Sequence, residues 1–146
     1  MINVAIVGTG GISHAHIKAY LQFPERCRIA ALVDIIPGKA QKVKEQYGLE
    51  AEVFLDHHEI LNRSDIDLVD VCTPPFVHAE ITINALRAGK NVVCEKPVTL
   101  SSADLQQYFS KQPWYRPVAD NATIQLSDIE KHNVDFIKAI ENRPKE

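Results

Sequence analysis

Five short apolar runs punctuate the first two thirds of the chain, and the stretches between them repeat their apolar positions every three or four residues. The runs cover residues 3–7, 28–33, 51–54, 68–72 and 91–94, and their near-continuous Val, Ile, Leu and Ala content fits strands covered on both faces. The intervening stretches, at about 12–23, 38–47, 57–61 and 77–88, fit helices. Pro37 and Gly38 stand near one helix start, while Gly48 and Gly89 follow two helix ends, where glycine takes the left-handed cap conformation. Strand and helix alternate throughout. That alternation predicts an α/β fold, a doubly wound parallel sheet of strand order 3-2-1-4-5.

Composition narrows the function classes. A chain of 146 residues, 45% hydrophobic and 24% charged, matches one ordinary globular domain. The net charge of -3 and the lack of any basic stripe argue against a nucleic-acid partner. No apolar run is long enough to span a membrane, and the first strand begins at residue 2, so neither membrane nor signal peptide is expected. The expected compartment is the cytoplasm. Cys27, Cys72 and Cys94 lie in apolar surroundings without Cys-x-x-Cys spacing, which predicts reduced thiols and no metal site.

The strongest chemistry follows the first strand. Gly8, Gly10, Gly11 and Ile12 form a glycine-rich turn that leads into a helix, and Asp34 closes the second strand. A pyrophosphate held by backbone N–H groups at a helix N-terminus needs such a turn, because a Cβ there would keep the phosphate oxygens at a distance. Asp34 would accept hydrogen bonds from the adenosine ribose. Strand, turn, helix and acid in this order predict a Rossmann-like dinucleotide site. Ile35, Ile36 and Pro37 follow with no arginine for a 2′-phosphate, so NAD is favoured over NADP, although Lys39 softens that preference.

Two loops follow later strands at the edge where open parallel sheets bind ligands. One carries Thr73, Pro74, Pro75 and then His78; the other carries Glu95, Lys96 and Pro97. Taken singly, each has an ordinary structural reading, since Pro-Pro marks loops, Glu-Lys pairs are often solvated, and His78 also suits a helix cap or packing role. Their shared position points to a cofactor crevice.

These segments together resemble the N-terminal half of the glucose-fructose oxidoreductase and inositol dehydrogenase (Gfo/Idh/MocA) family, over about residues 2–108. Ser13 stands where the general fingerprint has a third glycine. The resemblance implies an NAD(P)-dependent oxidoreductase acting on a sugar, polyol or related hydroxyl compound. It places Lys96 beside the nicotinamide as a catalytic residue, Glu95 on the cofactor ribose, Thr73, Pro74 and His78 along the cofactor channel, and a cis bond before Pro97. The alternative class is a nucleotide-binding module without turnover. A methyltransferase using the same turn would leave Glu95, Lys96 and Pro97 unexplained.

Beyond Tyr108 only 38 residues remain, fewer than the family's substrate domain needs, so that domain is expected to be absent or reduced. The expected organisation is a cofactor domain at 1–108, an irregular linker at 109–124 broken by Pro113 and Pro117, and a C-terminal helix at 125–146. The tail resembles the family in two ways. In one, His132 is the histidine that exchanges protons with Lys96, and Asp128 is its neighbour. In the other, favoured reading, residues 134–144 match a helix that packs back on the cofactor domain, with Ile129, Phe136, Ile137 and Ile140 on its apolar face. The same face would suit association with a second copy of the chain.

Overall fold

The structure, a computed structural model, describes residues 1–100. Its sheet has five strands: β1 (Ile2–Val7), β2 (Cys27–Val33), β3 (Glu52–Phe54), β4 (Leu68–Val71) and β5 (Asn91–Cys94). They lie in the order β3-β2-β1-β4-β5, and every pairing is parallel. The helices are α1 (Ser13–Tyr20), α2 (Lys39–Tyr47), α3 (His58–Leu61) and α4 (His78–Arg87), the last preceded by a 3₁₀ turn at Pro75–Val77. This is the doubly wound, Rossmann-like sheet expected from the strand and helix alternation.

Strand periodicity sorts the core into two layers. Ala5, Val7, Ala31, Val33, Val69 and Val71 join Ile60, Ile81 and Ala85 from α3 and α4 in one buried cluster. Alternate positions Ile6, Leu32 and Leu68 are also buried. Each such side chain contributes roughly 1.5–3 kcal/mol through removal from water. Asp70 shares this second register and is completely buried, facing His16 and Tyr20 of α1. β1 is bonded on both sides, so the turn that leaves it sits at the middle of the sheet's carboxyl edge.

α1 ends at Tyr20, earlier than the apolar spacing to residue 23 predicts. Phe23 precedes Pro24, whose ring disfavours helical backbone at the residue before it. Gly48 and Gly89 have positive φ, as their places after α2 and α4 require. Among the described residues, no helix is long and apolar enough to cross a membrane. The boundary at 108, the linker, the C-terminal helix, Asp128, His132 and the apolar face of the tail lie outside the described residues.

Candidate active site at the carboxyl edge of the sheet

The glycine turn contains two glycines with opposite environments. Gly8 has φ of 91°, and a Cβ there would stand 2.8 Å from the Thr73 amide nitrogen and 2.9 Å from the Cys72 carbonyl group. Gly8 is therefore required by the protein itself, where the turn crosses the loop after β4. A Cβ at Gly10 or Gly11 would meet nothing within 4 Å. No side chain caps α1, and the Ser13 hydroxyl donates back to the Gly10 carbonyl at 2.6 Å. Ser13 is fully buried, which shows why a small residue suffices at this position. Ile12 is partly exposed at the lip of the turn. Open glycines before an uncapped helix fit an approaching pyrophosphate.

Asp34, at the end of β2, is tied into the same turn. Its Oδ2 accepts bonds from the Thr9 N–H at 2.9 Å and the Thr9 hydroxyl at 2.7 Å, and its Oδ1 accepts the Ile36 N–H at 3.0 Å. Lys39 Nζ lies 3.0 Å from Oδ2. Burial by itself would raise the Asp34 pKa, but the bonds from Thr9, Ile36 and Lys39 outweigh it and hold the carboxyl below its ordinary value. Thr9, between Gly8 and Gly10 in the turn, thus fixes this acid, and the sequence analysis assigns it no role.

The two later loops meet over His78. That side chain is 1% exposed; its Nδ1 lies 2.8 Å from the Pro97 carbonyl oxygen and its Nε2 2.7 Å from that of Thr73. His78 thus joins the loops after β4 and β5 from beneath, and its ring nitrogens are engaged by protein carbonyls. Pro74 and Lys96 are exposed on the upper side, and Glu95 is half-buried. The Lys96-Pro97 bond is cis. Thr73 Oγ1 is buried and has no hydrogen-bond partner among the described residues. An orphaned hydroxyl at the ligand edge of the sheet fits a polar cofactor group.

A residue that sequence reading left unassigned lies at the centre of this edge. His16 is buried in α1, with Nδ1 2.8 Å from Asp70 Oδ2 and Nε2 2.9 Å from Glu95 Oε1. Tyr20 donates to the same Asp70 oxygen at 3.0 Å, and the Cys72 thiol approaches Oδ1 at 3.6 Å. Burial alone would lower the His16 pKa, but the hydrogen bonds and charges of Asp70 and then Glu95 reverse this and push it up to about 9. Burial pushes the Cys72 thiol far above its ordinary value, and the Cys94 thiol up to about 11. All three cysteines are free.

Gly10, Gly11, Ile12, Asp34, Thr73, Pro74, Glu95 and Lys96 therefore converge on one edge. A family model described as "Oxidoreductase family, NAD-binding Rossmann fold" matches residues 2–111. A second model, the YARHG domain, matches residues 100–142. Inositol 2-dehydrogenase of Salmonella typhimurium is 32% identical over 106 residues, covering 73% of this chain and 32% of that protein. Inositol 2-dehydrogenase/D-chiro-inositol 3-dehydrogenase of Lactiplantibacillus plantarum is 40% identical over 100 residues, covering 68% of this chain and 28% of that protein. The chain thus spans about a third of the length of these curated relatives.

Among solved structures, levoglucosan dehydrogenase in complex with NADH superposes with a TM-score of 0.69 at 29% identity, covering 75% of this chain and 31% of that one. The WlbA dehydrogenase from Bordetella pertussis, in complex with NADH and UDP-GlcNAcA, gives a TM-score of 0.70 at 28% identity, covering 75% of this chain and 34% of that one. With the glycine turn, Asp34 and the two loops on one edge, and a family model covering most of the sequence, the chain belongs to the Gfo/Idh/MocA oxidoreductase family through its NAD-binding Rossmann domain.

Proposed function

We propose that the chain binds NAD across the carboxyl edge of the sheet and contributes the cofactor half of a dehydrogenase acting on a hydroxyl of a sugar, an inositol or a related polyol. The carrying observation is the shape of the turn: Gly10 and Gly11 leave open space before an uncapped helix, while Gly8 beside them is locked against Thr73 and Cys72. The backbone at Gly10, Gly11 and Ile12 would receive the pyrophosphate. Asp34 Oδ1, which accepts one backbone bond, has capacity left for an adenosine ribose hydroxyl. Thr73, Pro74 and Glu95 would line the nicotinamide side, with His78 holding their loops from below.

Bound NAD supplies the hydride acceptor. The Lys96 side chain would stand at the substrate hydroxyl, where its positive charge favours the alkoxide that forms as the hydroxyl proton leaves. The favoured reading of the tail gives His132 no catalytic task; on the alternative reading, in which the tail matches the substrate-domain helix, His132 would be the proton-transfer partner. NAD is preferred because Asp34 would repel a 2′-phosphate and Lys39 is already paired with it. The cytoplasm is the compartment that suits three free thiols.

The deciding experiment measures NADH formation with inositols, sugars and polyols, for the wild type, Lys96→Ala and His132→Ala. Turnover lost in both variants supports both assignments, and turnover lost only in Lys96→Ala removes His132. A chain that binds NAD yet forms no NADH with the whole panel refutes the catalytic reading.

A further inference from the structure

Both ring nitrogens of His16 face carboxylate oxygens, Asp70 Oδ2 at 2.8 Å and Glu95 Oε1 at 2.9 Å. An ionised carboxylate only accepts hydrogen bonds, so each contact needs a proton on the ring. Asp70 is anchored within β4, bonded by Tyr20 and approached by the Cys72 thiol, and cannot move without breaking the sheet. Glu95 is different. Its N–H makes a last ladder bond to the Val71 carbonyl, after which the chain leaves the sheet. Its other carboxylate oxygen accepts the Lys96 N–H at 3.2 Å. The chain of contacts therefore runs from the helix behind the glycine turn, through one ring, to the backbone of Lys96.

We propose that His16 is a positioning residue for the Glu95–Lys96 loop: clamped between Asp70 and Glu95, it fixes Glu95, and through Glu95 it sets where Lys96 stands relative to the dinucleotide on α1. The inference rests on the role proposed for Lys96 and adds to it a residue that touches neither cofactor nor substrate. The groups bonded to the ring are Asp70 from β4 and Glu95 after β5, and Tyr20 of α1 and the Cys72 thiol are bonded in turn to Asp70. Their balance favours the charged ring, whose pKa is pushed up to about 9. The clamp is accordingly closed at neutral pH and opens as the ring loses its proton.

The test uses the full chain labelled with ¹⁵N-histidine, its ring spectra followed from about pH 6 to pH 10 in the wild type and in Glu95→Gln, with His16→Gln supplying the assignment. The wild-type ring should stay doubly protonated through neutral pH and lose its proton near 9. In Glu95→Gln this step should move down by about one unit, because one of two facing negative charges is gone. A wild-type step near the ordinary histidine value, or the same step in both proteins, overturns the proposal. Glu95 is half-buried, so this variant remains informative should His16→Gln fail to fold.

A second readout follows ¹³C-dimethylated lysine. The Lys96 signal, assigned by Lys96→Arg, should shift in wild type as His16 deprotonates and should lose that step in Glu95→Gln. A Lys96 signal indifferent to the His16 ionisation also overturns the proposal. Both spectra are recorded without NAD or substrate. Intact coupling without NADH formation would refute only the catalytic reading, while NADH formation without coupling would refute only the clamp.

Discussion

Two carboxylates flank the central turn, Asp34 after β2 and Glu95 after β5, and the protein holds them by different means. Asp34 is fixed by neutral donors close by in the fold, the Thr9 N–H and hydroxyl and the Ile36 N–H, with Lys39 added at the surface. Glu95 is fixed by a buried imidazole, itself anchored on a second buried acid. Backbone and hydroxyl donors keep their protons at every accessible pH, whereas an imidazole can lose its own. The Asp34 side of the edge is thereby built as a rigid bracket, and the Glu95 side as a joint whose strength depends on proton occupancy. The contrast teaches that equivalent positions along one sheet edge need not have equivalent stability to pH.

The largest effect expected separates the two glycines that make this bracket. Gly8→Ala forces a Cβ against the Thr73 and Cys72 backbone at positive φ, and should lower the melting temperature by about 10 °C or more. A Cβ at Gly10 meets no protein atom within 4 Å, so the melting temperature of Gly10→Val should stay within about 2 °C of wild type. Calorimetry should nevertheless show NAD affinity reduced by at least about 100-fold, since the side chain occupies the phosphate's approach. Equal NAD affinity for wild type and Gly10→Val would remove the pyrophosphate assignment.

Next in size is the pH dependence of stability, which should differ at the two ends of the scale. The His16 pKa is raised on folding, so its contribution is complete below the unfolded value of 6.5 and is lost as pH rises through about 9. Its size is on the order of 3 kcal/mol, from 1.36 kcal/mol per unit. The Asp34 pKa is lowered, so its contribution is present above the unfolded value of 3.8 and disappears as pH falls through the folded value. Melting curves should therefore show an alkaline decline that Asp70→Asn flattens while the acid limb contributed by Asp34 persists. An alkaline limb untouched by Asp70→Asn would mean that another group causes it.

Thr9→Val should cost about 1–2 kcal/mol in chemical denaturation, because Asp34 loses a buried hydroxyl donor while the Thr9 N–H bond remains. No loss would show that water replaces the hydroxyl. Lys39→Ala should give the smallest change. Its side chain is 40% exposed, so its pairing with Asp34 contributes less than about 1 kcal/mol. Removing it should raise the NAD-over-NADP affinity ratio a few-fold, by leaving Asp34 uncompensated against a 2′-phosphate. A lowered ratio would reverse the role given to Lys39.

Much of the fold was legible because its signals are local. Among the described residues, apolar runs and glycine punctuation placed the five strands and four α-helices, and handedness rules then left 3-2-1-4-5 as the order that the structure adopts. The glycine turn and Asp34 were legible for the same reason, since a turn and the end of the next strand lie close in sequence. The partners of Asp34 were less so: nothing in the turn's own sequence gives Thr9 a task until the sheet brings its hydroxyl within 2.7 Å of the carboxylate. His78 carried a position but not a task, because its partners are the carbonyls of two loops, one of them 19 residues away. His16 was the least legible. Its partners stand 54 and 79 residues further along, and no spacing rule along one helix points to them.

Sequence by itself determined the sheet, its order, the glycine turn after β1 and the loops that share its edge, because these follow from periodicity, backbone freedom at glycine and the chirality of parallel crossovers. Tertiary structure alone decided which glycine is locked by the fold and which stand open, and which buried acid charges which histidine. Those outcomes depend on distances between strands that are remote in sequence, and on water being excluded from Asp70 and His16, conditions that exist only once the sheet and α1 have closed on each other.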